Sequence, residues 1–301
     1  MSLAQHVATL GRGPGRSLSL TEGEASEAML MMLDGAAPEA VGALLMLLRM
    51  KGETAEEIAG LARAAQAALP DGLAADLDWP CYAAGRTRGM PWFLLSARLV
   101  AQAGYRVVMH GYNGADAPVR AHLPAAGPDV TYLPLEELHP ALFRLLALRP
   151  VLGLRSCINT VCRMLNPSRA PASVQGVFHP SYRLLQADAA ARLGWQNLTV
   201  IKGGGGEFER LPGKVVEGFG LRGGIPFDGV FPALTSPVRL AEVAPGITPA
   251  QLWSGTSRDP VASEIVIGTA ALALDTLGHA EAEATASALW ADRHQTKDSA
   301  A

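Results

Sequence analysis

Leu198-Thr199-Val200-Ile201-Lys202-Gly203-Gly204-Gly205-Gly206-Glu207-Phe208-Glu209 joins a short apolar segment to four consecutive glycines and an acid pair. The apolar part, bounded by glycine, reads as a buried strand. Four positions without side chains free the backbone for φ > 0 and for close approach to a neighbour. Glycine loops at strand ends are where α/β proteins hold phosphates. The run is therefore either a ligand site or a mobile surface loop.

Outward from this stretch, further strand candidates are Tyr105 to Met109, Val130 to Tyr132, Gly176 to Phe178 and Val215-Val216. Helical stretches separate them, at Pro91 to Ala103, Glu136 to Leu148 and Tyr182 to Leu193, and an Ala-rich helical tail runs from Pro260 to about Arg293. Strands alternating with helices predict an α/β domain with a central, mostly parallel sheet. The amino-terminal part differs. Thr21 and Glu24 form a capping-box pattern ahead of Ala28-Met29-Leu30-Met31-Met32-Leu33, Pro38 opens a second helix to about Met50, and Glu53 to Leu69 supply a third. Together these predict a small all-helical unit.

The 301 residues are enough for one large domain or two smaller ones, and 49% are hydrophobic. The amino terminus lacks a continuous apolar targeting segment, and the apolar run Val41 to Leu48 stops at Arg49, too short to span a bilayer. Cys81, Cys157 and Cys162 have neither zinc-site nor disulfide spacing, so a reducing, cytoplasmic setting without a membrane partner is expected. A formal charge of −3 gives no global attraction to nucleic acid, which would need a local basic patch. Arg144, Arg149, Arg155, Arg163 and Arg169 supply one in sequence.

Met50-Lys51-Gly52-Glu53-Thr54-Ala55-Glu56-Glu57-Ile58-Ala59-Gly60 resembles the motif that opens a helix in anthranilate phosphoribosyltransferases and their nucleoside-phosphorylase relatives, glycosyltransferase family 3. Further landmarks follow in the family's order. Ala103 to Gly111 resembles its strand and His-Gly turn, and Arg149 to Arg155 with Asn159 and Asn166-Pro167 resembles its Arg-x-x-x-Gly-x-Arg and Asn-Pro segment. The resemblance spans about Ala4 to Leu289. It implies a helical domain of residues 1–72, completed by a helix near 155–169, packed on an α/β domain of residues 76–152 and 172–298. It also implies a homodimer through the helical domain and a ligand cleft between the domains.

The departures resemble those of a divergent branch that lacks the diphosphate loop. Cys81-Tyr82-Ala83-Ala84-Gly85 stands where the family has Gly-Thr-Gly-Gly-Asp, Pro91-Trp92-Phe93-Leu94 where it has Asn-x-Ser-Thr, and Phe208 where it has a Mg²⁺-binding Asp. A phenyl ring cannot ligate a hard cation. Arg86 and Arg88 follow the eroded loop, either as a replacement anion site or as a solvated basic turn.

By resemblance Arg149 is the arginine that contacts anthranilate, or alternatively a helix-end cap. Arg163 enters the aromatic substrate pocket, His110 sits in the His-Gly turn, and Lys202 replaces a loop histidine. The candidate binding residues are accordingly Arg86, Arg88, His110, Arg149, Arg155, Arg163, Lys202, Gly203 and Gly204. Trp92 or Tyr112 would be stacking faces unless they belong to the core.

Two functions are expected from this. One is a protein without ordinary anthranilate phosphoribosyl transfer, whose cleft binds phosphate-bearing ligands, DNA or RNA among them. The other is a phosphoribosyl or glycosyl transferase with an altered acceptor, in which Glu207 and Glu209 coordinate Mg²⁺. No cofactor is otherwise implied.

Overall fold

A computed structural model describes residues 2–13, 15–70, 72–82, 89–112, 118–239 and 242–293. The chain opens with four helices: α1 (Leu3–Leu10), α2 (Glu22–Leu33), α3 (Pro38–Lys51) and α4 (Ala55–Ala67). Their starts are set by local chemistry. Thr21 Oγ1 accepts from Glu24 N while Glu24 Oε2 accepts from Thr21 N at 2.8 Å, and Thr54 and Glu57 repeat the exchange at α4. Each exchange satisfies helix-end donors that would otherwise lack partners. Glu57 is wholly buried and also accepts from Leu20 N at 2.9 Å and Lys51 Nζ at 2.8 Å, so the Lys51 to Glu57 motif locks three segments of the bundle together.

The remainder alternates: β1 (Leu77–Cys81), α5 (Phe93–Gln102), β2 (Val107–Gly111), α6 (Pro118–His122), β3 (Val130–Pro134), α7 (Leu135–Leu138), α8 (Pro140–Leu146), α9 (Arg149–Leu152), α10 (Ile158–Arg163), β4 (Ala172–Val177), α11 (Tyr182–Arg192), β5 (Asn197–Lys202), β6 (Val216–Arg222), β7 (Ile225–Phe231), α12 (Pro249–Ser254), α13 (Pro260–Thr276) and α14 (Ala282–Asp292). The seven strands form one sheet in the order β3-β2-β1-β4-β5-β6-β7, parallel from β3 through β5 and antiparallel at β6 and β7. This is the α/β sheet with an attached helical bundle that the strand and helix pattern predicts.

Three elements depart from the sequence reading. The stretch Glu136 to Leu148 is two helices, because Pro140 pushes His139 out of the helical region, to φ −148 and ψ 74. The central strand β1 contains Pro80, a residue that ordinarily argues against a central strand. The β6–β7 hairpin turns on Gly223 and Gly224, both at positive φ, the geometry that closes a two-residue turn.

Side chains alternate across β5. Leu198 and Val200 face α11 and the bundle, in one core with Met29, Leu44 and Leu61, whereas Ile201 faces the other core with Trp79, Phe93 and Ile265. β1 and β4 pair only at Leu77–Ala172 and Asp78–Ser173 and then part. They part at the point where the strand order reverses, the place where open α/β sheets bind ligands. Among the described residues no helix is long and apolar enough to cross a membrane.

Candidate functional site

Beyond the carboxyl end of β4 a cavity of about 240 Å³ lies between the bundle and the sheet. α3 contributes Arg49, α9 and the turn after it contribute Arg149 and Arg155, and α10 contributes Asn159 and Arg163. Val177, Phe178 and His179 close the β4 side, with Tyr182 and Gln186 one helical turn apart on α11. Four guanidiniums thus meet around a wall whose described residues include no carboxylate. Partial burial lowers the Arg155 pKa, and the neighbouring charges of Arg149, Arg163 and Arg49 lower it further. Burial also lowers that of Arg163, partly offset by Glu207. An anion in the cavity would relieve this mutual repulsion.

Arg163 is only 8% exposed, and its Nε and Nη1 donate to the Gly176 and Asn159 carbonyls at 3.0 and 2.9 Å. It lines the cavity, and part of its donor capacity holds the wall in place. The Tyr182 hydroxyl donates to Glu53 Oε2 at 3.1 Å, and burial, reinforced by Glu53, pushes the phenol up to about 12.

His110 lies outside this cavity, fully buried on β2. Its Nε2 is 2.9 Å from Asp78 Oδ1 on β1, and its Nδ1 shares a hydrogen bond with the Tyr82 hydroxyl at 2.9 Å. Ser173 on β4 donates to the other Asp78 oxygen at 2.7 Å. The partner acid, invisible in sequence, comes from the neighbouring strand. Two β-strands set in register bring residues 32 positions apart into contact, because Asp78 pairs with Val108.

The glycine run is used internally. A Cβ at Gly203 would sit 1.7 Å from the Glu207 carbonyl oxygen, and one at Gly176 would sit 2.0 Å from the Glu207 carbonyl carbon. Side chains are excluded there because the loop folds back against itself and β4. Gly204 donates its N–H to the Glu209 carbonyl at 2.9 Å. Lys202 is exposed at the end of β5 and does not line the arginine cavity.

The two glutamates expected by resemblance to coordinate Mg²⁺ are both buried. Glu209 is fully buried and its Oε2 accepts the Phe93 N–H at 3.0 Å, at the start of α5. Glu207 is 1% exposed beside Arg163. Among the described residues no three acidic, His or Cys side chains gather as a cation site. Phe208 packs edge-on against Trp79 at 5.4 Å, and Trp92 and Phe93 are fully buried. Trp92 is therefore core and offers no stacking face, while Tyr112 packs against Phe143 at 5.0 Å. Arg86 and Arg88 lie outside the described residues.

The structure thus brings Arg149, Arg155 and Arg163 together and leaves His110, Lys202 and the glycines elsewhere. Sequence reading missed Arg49, Tyr182 and Gln186. Arg49 directly precedes the Met50 to Gly60 motif, and Tyr182 and Gln186 have the i, i+4 spacing of one helix face.

Residues 6–68 match the helical bundle domain of the glycosyl transferase family. The chain is 32% identical over 212 residues to the anthranilate phosphoribosyltransferase of Roseiflexus castenholzii, a match covering 64% of this chain and 62% of that one. It is 31% identical over 202 residues to an uncharacterised protein of Aquifex aeolicus, covering 64% and 65%. The chain thus spans about three fifths of the length of the first of these relatives. The anthranilate phosphoribosyltransferase of Thermus thermophilus superposes with a TM-score of 0.80 at 24% identity, over 97% of this chain and 95% of that one. That of Saccharomyces cerevisiae in complex with PRPP and Mg superposes at 0.73 with 16% identity, over 97% and 93%. By sequence this chain is similar to anthranilate phosphoribosyltransferases, and it shares their fold, with a glycosyl transferase family helical bundle at residues 6–68.

Proposed function

We propose that this protein binds phosphate-bearing ligands, single-stranded nucleic acid among them, in the arginine-lined cavity, and that it does not carry out ordinary anthranilate phosphoribosyl transfer. The observation that carries the reading is the cavity itself, with four guanidiniums and no lining carboxylate among the described residues. Guanidiniums match phosphate oxygens in bidentate geometry and keep their charge even when partly buried. The other half of the reading rests on what fills the neighbouring space. Trp92, Phe93 and Phe208 are buried there, and the α5 amino terminus, a natural place for phosphate, already holds the Glu209 carboxylate. Arg86 and Arg88 remain part of the proposal as further phosphate contacts.

A second reading, a transferase with an altered acceptor, is favoured by the anthranilate phosphoribosyltransferases among the relatives. One pair of titrations separates the two. Fluorescence anisotropy with a labelled single-stranded oligonucleotide should show affinity falling steeply as salt rises, because each neutralised phosphate releases counterions. Arg149→Ala with Arg155→Ala should lower that affinity about tenfold or more on any sequence. A flat salt response would end the binding reading. A calorimetric signal from phosphoribosyl diphosphate with Mg²⁺ would favour the transferase.

A further inference from the structure

We infer that the arginine cavity takes a nucleotide unit, a nucleoside carrying phosphate, and that the Gln186 carboxamide reads the edge of its base. The inference rests on the anion-binding reading above. Gln186 is 1% exposed and forms part of the cavity wall, yet its Oε1 has no hydrogen-bond partner. A buried polar atom without a partner costs stability, so native structures seldom retain one without a use. Phosphate cannot satisfy this atom, because a phosphate dianion brings only acceptors to it. A ligand that pairs with this atom directly presents a donor as well as an anion.

A carboxamide offers an N–H donor and a C=O acceptor side by side, the pattern that pairs with the edge of adenine. Aromatic surface is at hand. The Tyr182 ring lies one turn earlier on the same face of α11, and Phe178 at the rim is 61% exposed, edge-on to His179 at 5.1 Å. Exposed rings beside arginines are how proteins hold unpaired bases. A cavity of about 240 Å³ holds one small ligand and excludes a duplex. The unit is a free mononucleotide or one nucleotide of a single strand.

Calorimetry of the full chain with adenosine 5′-monophosphate, ribose 5-phosphate and a short oligoadenylate tests this. The expected result is a preference of about tenfold or more for adenosine 5′-monophosphate or oligoadenylate over ribose 5-phosphate. In Gln186→Leu that preference should collapse to what base stacking alone supports. Gln186→Met, unbranched and of similar length, should give the same collapse and guards against a folding loss in the first variant. The nucleotide form whose affinity depends on Gln186 is the source of the ligand. Equal affinity of the native protein for all three ligands, or variants that keep the preference, overturns base reading and leaves anion binding standing. Absence of binding by all three overturns both.

Discussion

Glu209 shows how a single side chain changes what a loop can do. Its carboxylate accepts the Phe93 N–H at 3.0 Å, fully buried, so the positive end of α5 is neutralised by the protein's own anion. Glu209→Ala should leave that donor unsatisfied and cost about 1–3 kcal/mol, read as a lower urea midpoint. Phe208→Asp should cost more, because it sets an unpaired carboxylate where the ring now meets Trp79 at 5.4 Å. A Mg²⁺-dependent rise in the stability of Phe208→Asp would show instead that a latent metal site survives. His110 makes the complementary point. Its sequence neighbours offer no acid, and Asp78 becomes its partner only through the pairing of β1 with β2.

At the scale of elements, β4 and the glycine loop behave as one unit. Gly176 lies in β4, and the Glu207 backbone presses against the place where its Cβ would be, at 2.0 Å. Gly176→Ala should therefore destabilise by about 3 kcal/mol, since both contacting groups are main chain and neither can rotate away. Gly23 in α2 is the contrast, with nothing within 4 Å of a Cβ. Gly23→Ala should be neutral or stabilise by up to about 1 kcal/mol through helix propensity. Thermal or chemical denaturation of the two variants checks the opposite signs. Similar effects at both positions would mean that the loop can shift off β4.

In the whole molecule, the bundle and the sheet share a core. Met29, Leu44 and Leu61 of the bundle belong to the same buried cluster as Leu198, Val200 and Leu221 of the sheet. Gln66 Nε2 reaches the Leu165 and Asn166 carbonyls, and Arg63 Nη2 reaches the Arg192 carbonyl, across more than 90 positions of sequence. Such sharing couples the parts, so differential scanning calorimetry should give one cooperative transition for the full chain. Two separated transitions would mean that the bundle folds independently. The arginine cavity lies at this shared boundary, and any ligand there should raise the transition temperature of the whole chain.

Much of the architecture was legible in the residues. Thr21 with Glu24 marked α2, Pro38 marked α3, and the apolar runs near Val107, Val130 and Leu198 marked three parallel strands, because caps and periodicity act over a few positions. The β1 strand was hidden by Pro80, and the split between α7 and α8 by reading through Pro140. The meaning of the glycine run was not local. Sequence shows only that side chains are absent, and both a ligand and a neighbouring strand can require that; tertiary structure puts the Glu207 backbone in the space. The cavity belongs to the same class. Arg49, Arg149, Arg163 and Gln186 come from four helices or turns, and only the packing of the bundle against β4 and α11 brings them together. Sequence determined the elements and the residue types available to the site. Tertiary structure decided which of those residues meet, because contacts between distant positions are set by strand order and helix packing, neither of which is encoded in any one segment.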